Sequence, residues 1–128
     1  MHLECAQGSG ANPARPQDIE EVFRDDQRRG EFAILTDEDG SFVQVAGQGE
    51  GPFTVEFFDK ASDQHWVAAK RHSKNEALSV FLAFAKGERS WRDSIEWTEL
   101  DSKSGGCRNQ AALLVLALTG LAVIAWYT

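Results

Sequence analysis

Residues 111–128 (AALLVLALTGLAVIAWYT) carry no charged side chain, although 20 acidic and 13 basic residues crowd the rest of this 128-residue chain. No other stretch limits the fold as strongly. As a helix the segment would rise ~27 Å, close to the ~30 Å hydrocarbon core of a bilayer. Thr119 is its only polar residue before the aromatic pair Trp126 and Tyr127. A core helix in a small domain keeps one polar face, and about a hundred preceding residues are too few to wrap a helix on all sides. A helix lying flat on a membrane needs a polar and usually basic face, which this segment lacks. Its five Leu, two Val and one Ile favour insertion by ~2–5 kcal/mol in total.

The segment therefore reads as a transmembrane helix, with Trp126 and Tyr127 as interfacial aromatics and Arg108 at the opposite interface. Lys103 and Arg108 precede it and no Lys or Arg follows it. The positive-inside bias then leaves the N-terminal part in the cytoplasm. Residues 1–16 show neither an apolar h-region nor a basic start, so no signal peptide is expected. Taken together, these features predict a single-pass, tail-anchored cell-membrane protein.

The net charge of −7 falls entirely on the part before the span. Such a domain is repelled by nucleic-acid backbones and anionic lipid surfaces, which excludes nucleic acid as a partner and makes the anchor hydrophobic. Cys5 and Cys107 are the only cysteines, one in each segment flanking the domain. They predict neither a disulfide framework nor a metal site. Cys107 reads as an ordinary reduced thiol, with juxtamembrane palmitoylation as the alternative.

Upstream of the span, the chain divides by composition. Residues 1–15 are rich in Gly, Ser, Asn and Pro and are expected to form a disordered lead-in. Residues 16–100 are expected to form the soluble domain, and residues 101–110 a polar linker reaching roughly 17–19 Å as a coil. Within the domain, Pro16 and the carboxylates after it start a helix, and Gly30 ends it. Strands are expected at 31–36, 41–46, 53–58 and 65–69, with Asp39-Gly40 as a hairpin turn between the first two. Residues 53–58 alternate Phe53, Val55 and Phe57 with Thr54, Glu56 and Phe58. Ser73 and Glu76 form a capping box for a second helix that ends at Gly87. The fold class expected is α+β: a four-stranded antiparallel meander with two flanking helices, followed by the C-terminal transmembrane helix. Val43, Val45, Phe58 and Trp66 are expected on an exposed sheet face that docks a protein partner.

Chemical motifs are sparse. His65 follows Asp63 in sequence, and Asp63 or Glu56 would be the carboxylate that orients it as a general base. No serine or cysteine in a nucleophile elbow accompanies it. His65 and His72 fall short of the three or four ligands a metal needs. Gly47-x-Gly49-x-Gly51 lacks the lysine and the following helix of a phosphate loop, and reads as a hairpin loop. Asp37-Glu38-Asp39 lacks the further ligands of an EF-hand and reads as a solvated turn. No cofactor, metal or catalytic residue is assigned.

Phe42 to Gly47 (FVQVAG), Phe53 to Phe57 (FTVEF), His65-Trp66, and the helix from Ala77 to Phe84 with Gly87, Trp91 and Trp97 resemble a pattern in small, mostly uncharacterised bacterial α+β proteins, some of them immunity proteins of toxin systems. The resemblance covers about residues 41–97, rests on packing positions and carries no active site. It implies a bacterial origin and a binding role. The leading expectation is thus a non-enzymatic, membrane-anchored protein-binding module, of which an immunity protein is one concrete form. Two alternatives stand beside it: a small membrane-tethered, hydrolase-like enzyme using His65 with a nearby carboxylate, and a membrane-complex subunit acting through its span.

Overall fold

The computed structural model describes residues 1–100, which build one seven-stranded antiparallel sheet with helices on a single side. In chain order the elements are β1 (His2–Cys5), β2 (Gly10–Ala11), α1 (Pro16–Arg24), α2 (Asp26–Arg29), β3 (Phe32–Thr36), β4 (Phe42–Ala46), β5 (Thr54–Asp59), β6 (Gln64–Ala68), α3 (Lys74–Ala85), α4 (Trp91–Ser94) and β7 (Trp97–Glu99). The strands lie in the order β2-β1-β3-β4-β5-β6-β7.

Local chemistry sets the helix ends. Pro16 occupies the first turn of α1, where a missing N–H costs nothing, and the Asp18 carboxylate accepts the Arg15 backbone N–H at 2.8 Å. At α3 the Ser73 hydroxyl accepts from the Glu76 N–H at 3.2 Å, and the Glu76 carboxylate accepts from the Ser73 N–H at 3.0 Å. The first expected helix is interrupted: Asp25 adopts extended backbone and separates α1 from α2. Gly30, at φ 71°, then ends α2 in a conformation that excludes most side chains.

The core lies between the sheet and α1 and α3. Ala33, Leu35, Val43, Val45, Val55 and Phe57 from the strands meet Ile19, Phe23, Phe81 and Phe84 from the helices, all essentially inaccessible. Phe23 and Phe81 join the two helices edge to face, with ring centroids 5.0 Å apart. Trp91 of α4 closes one end, edge-on to Phe57 at 5.1 Å.

This architecture corrects the four-stranded meander. The four expected strands correspond to β3 to β6 and pair in sequence order, but they form only the middle of the sheet. On one side β1 pairs with β3 over four residues, matching Leu3 to Leu35 and Cys5 to Ala33, and β2 forms the margin beyond it. The 1–15 segment is therefore not a disordered lead-in. Its turn-forming composition belongs to the β1–β2 hairpin, and Leu3 and Cys5 alternate into the core as strand residues do. At the other margin three-residue β7 pairs with β6, placing Trp97 opposite Ala68. Among the described residues no helix is long and apolar enough to cross a membrane. The linker at 101–110 and the span expected at 111–128 lie outside the described residues.

Candidate partner-binding face

In an antiparallel pair, residues directly opposite each other point to the same side, so the register decides which side chains share a face. Val43 lies opposite Phe57 and Val45 opposite Val55. Both valines therefore join the buried set, at 0 % exposure, and take no part in an exposed face. Trp66 lies opposite Phe57 and stacks on it at 5.5 Å with an interplanar angle of 10°, so it too belongs to the helical side. Of the four residues expected to dock a partner, only Phe58 points away from the helices. The expected Arg108, Trp126 and Tyr127 at the membrane interface lie outside the described residues.

The open face has a defined centre. Phe42, Phe58 and His65 align across β4, β5 and β6, each opposite the next. The Phe42 and Phe58 rings stack with centroids 5.3 Å apart, and the His65 imidazole sits edge-on to both, at 5.7 and 6.1 Å. Glu56, two residues along β5 and hence on the same face, places Oε1 2.9 Å from His65 Nε2. Both side chains are about one-quarter exposed, 25 % for His65 and 23 % for Glu56. Asp63, the other carboxylate considered for His65, lies in the β5–β6 turn at φ 57° and is exposed. Sequence spacing alone could not choose between the two, because the Glu56–His65 contact is cross-strand.

For chemistry, this arrangement offers an oriented imidazole and a carboxylate on an open sheet surface. Among the described residues no hydroxyl or thiol hydrogen-bonds to His65, and no three His, Cys, Asp or Glu side chains converge as a metal would require. A hollow lined by Glu20, Phe23, Arg24, Lys74 and Leu78 lies on the helical side. His72 is buried beneath the start of α3. Its Nδ1 lies 3.2 Å from Glu76 Oε1, and its Nε2 has no hydrogen-bond partner among the described residues.

One polar site has no motif in the sequence: it is built on Arg29, the last residue of α2. Its side chain is fully buried. Nη1 donates to the carbonyls of Val22 at 2.9 Å and Phe23 at 3.2 Å, and Nη2 donates to that of Gly49 at 3.0 Å. The guanidinium thus satisfies carbonyls freed at the end of α1 and ties them to the β4–β5 loop. That loop needs its glycines, since a Cβ on Gly47 would stand 2.7 Å from the Phe53 ring and 2.8 Å from the Pro52 carbonyl oxygen. The Gly47-x-Gly49-x-Gly51 pattern therefore serves packing. Burial holds the Arg29 guanidinium below its usual range, and pushes the nearby Cys5 thiol up to about 11.

Comparison with protein-family models, with curated proteins and with solved structures finds no match to this chain.

Proposed function

We propose that this chain is a non-enzymatic protein-binding module, held at a membrane by its apolar segment 111–128, and that it meets its partner with the helix-free face of the sheet. The observation that carries this reading is the stacked Phe42–Phe58 pair on a face that no helix covers among the described residues. Both rings are partly exposed, and aromatic side chains are enriched at the buried centres of protein interfaces. Lys103 and Arg108 beside the apolar segment favour the cytoplasmic side for the domain. An immunity-type protein covering a basic toxin surface is one concrete form, to which the net charge of −7 is suited.

Photo-crosslinking from intact membranes tests the reading. A benzophenone side chain at Gln44 or Thr54, on the open face, should capture a discrete protein, while one at Ser79 on the solvent side of α3 should not. Equal capture from both positions defeats the proposal. A carbonate wash that releases the full-length chain from membranes would remove the anchor.

The Glu56–His65 contact favours a second reading, a membrane-tethered hydrolase-like enzyme with His65 as general base. A panel of ester, amide and phosphoester substrates on the full chain tests it. Turnover abolished by His65→Gln would replace the binding-module reading.

A further inference from the structure

The open face has a charge pattern that selects its partner. Side chains alternate along each strand, so the face is composed of every second residue of β1 and of β3 to β7. Among the described residues these positions include two carboxylates, Glu4 on β1 and Glu56 on β5, and two imidazoles, His2 on β1 and His65 on β6, but no lysine or arginine. His2 and Glu4 lie 3.6 Å apart near the sheet margin and are well exposed. Glu56 is different: it stands at the centre, three-quarters covered, beside the stacked Phe42 and Phe58. A carboxylate in that position is costly to cover unless the covering surface returns a cation or hydrogen-bond donors.

We infer that the partner delivers an arginine to Glu56, its guanidinium lying over the Phe42–Phe58 pair and taking the place of His65 at the carboxylate. This rests on the reading of the open face as a docking surface and specifies the partner's chemistry. Arginine suits the site better than lysine, because a planar guanidinium bonds a carboxylate in bidentate fashion and stacks on an aromatic ring at the same time. A second copy of this face is a poor occupant. It would bring Glu4 and Glu56 against their own equivalents with no lysine or arginine at the strand positions of either face. An entirely apolar surface would bury the Glu56 carboxylate without a new donor. His65 serves as the resident donor that keeps Glu56 paired while the face is empty.

The test uses the full chain in zwitterionic detergent micelles and a polar probe, N-acetyl-Gly-Arg-Gly-amide, against its citrulline counterpart, which has the same shape without the charge. Ring-proton resonances of Phe42, Phe58 and His65 are followed by NMR. The arginine probe should shift them saturably with a Kd on the order of 10 mM, as befits one side chain in isolation, and the citrulline probe should bind at least about tenfold more weakly. Glu56→Gln should abolish the difference between the probes. His65→Ala, which removes the competing donor, should tighten arginine binding by about fivefold.

Equal response to both probes, or shifts confined to other surfaces, overturns the inference without needing any variant to fold. So does a wild-type chain that is silent while a Lys103→Ser, Arg108→Ser variant responds, since the chain's own cations would then fill the site. A crosslinked partner whose contact surface lacks arginine would sink this inference and leave the binding-module reading standing.

Discussion

The guanidinium carbon of Arg29 lies 5.1 Å from the centroid of the Phe53 ring, inside the hydrophobic core, with Phe23 at 5.8 Å. Its three hydrogen bonds all go to backbone carbonyls. The ring faces and the carbonyl oxygens share the stabilisation of the cation.

Replacing Arg29 by Ala should destabilise the domain by about 3–5 kcal/mol, since it leaves three carbonyls without their donor and a cavity against two aromatic rings. Arg29→Lys should recover less than half of that, because one ammonium cannot span the end of α1 and the Gly49 carbonyl in the same geometry. Urea denaturation followed by tryptophan fluorescence measures both.

The N-terminal strand is part of the stable fold. Leu3, 1 % exposed and opposite Leu35, should cost about 2–4 kcal/mol when replaced by Ala. Deletion of residues 1–5 should cost more, because it also removes the pairing along β3. A thermal melt unchanged by either alteration would contradict the assignment of β1 to the sheet.

The two faces of β4 and β5 should respond oppositely to polar substitution. Val45→Asp places an unpaired carboxylate in the core and should prevent stable folding. Phe58→Ser should cost about 1–2 kcal/mol, leave the fold intact and weaken crosslinking from the open face. Circular dichroism and the crosslinking yield separate the two effects.

Acid stability should depend on Glu76. Its carboxyl is held below its ordinary 4.5 mainly by the Ser73 backbone N–H, with His72 assisting. The folded value is the lower one, so the contribution is fully present above pH 4.5 and is lost as pH falls through the folded value. In Glu76→Gln the melting temperature should lie below that of the wild type at neutral pH, and the gap should narrow as pH drops below 4.5. A gap constant with pH would show that the cap acts without its charge.

Cys5 should be a silent thiol in the folded protein. Burial raises it from 9.0 to about 11, so little thiolate forms near neutrality. The unfolded thiol ionises first as pH rises, so this contribution to stability is present below pH 9 and is lost toward pH 11. In a Cys107→Ser variant, where Cys5 is the only cysteine, N-ethylmaleimide should label the native chain at pH 8 only as fast as the domain opens. Immediate labelling would place Cys5 outside the core.

Near-neighbour chemistry was readable residue by residue. The Ser73–Glu76 box, Pro16 at the start of α1 and Gly30 at the end of α2 each act within one helical turn, and the structure places them at helix ends. The β5 alternation was equally legible, with Val55 and Phe57 inward and Glu56 and Phe58 outward. In β4 the same logic was ambiguous, since Val43 and Val45 on one side and Phe42 on the other are all apolar. Its orientation depends on pairing with β5, and a shift of one residue would invert it. The three strands outside the central four, β1, β2 and β7, have no such pattern to show. A strand of two to four residues has too little alternation of its own, and it is defined by the neighbour that accepts it.

By itself the sequence determined the helix caps, the turns, the acidic balance and the uncharged composition of 111–128, because each is a property of adjacent residues. Only the tertiary structure decided that β1 and β7 extend the sheet, that Val43, Val45 and Trp66 belong with the helices, and that Arg29 is buried. It also decided that Glu56 rather than Asp63 meets His65. These outcomes depend on register and packing between segments distant in the chain, and a one-dimensional pattern carries no offset between strands.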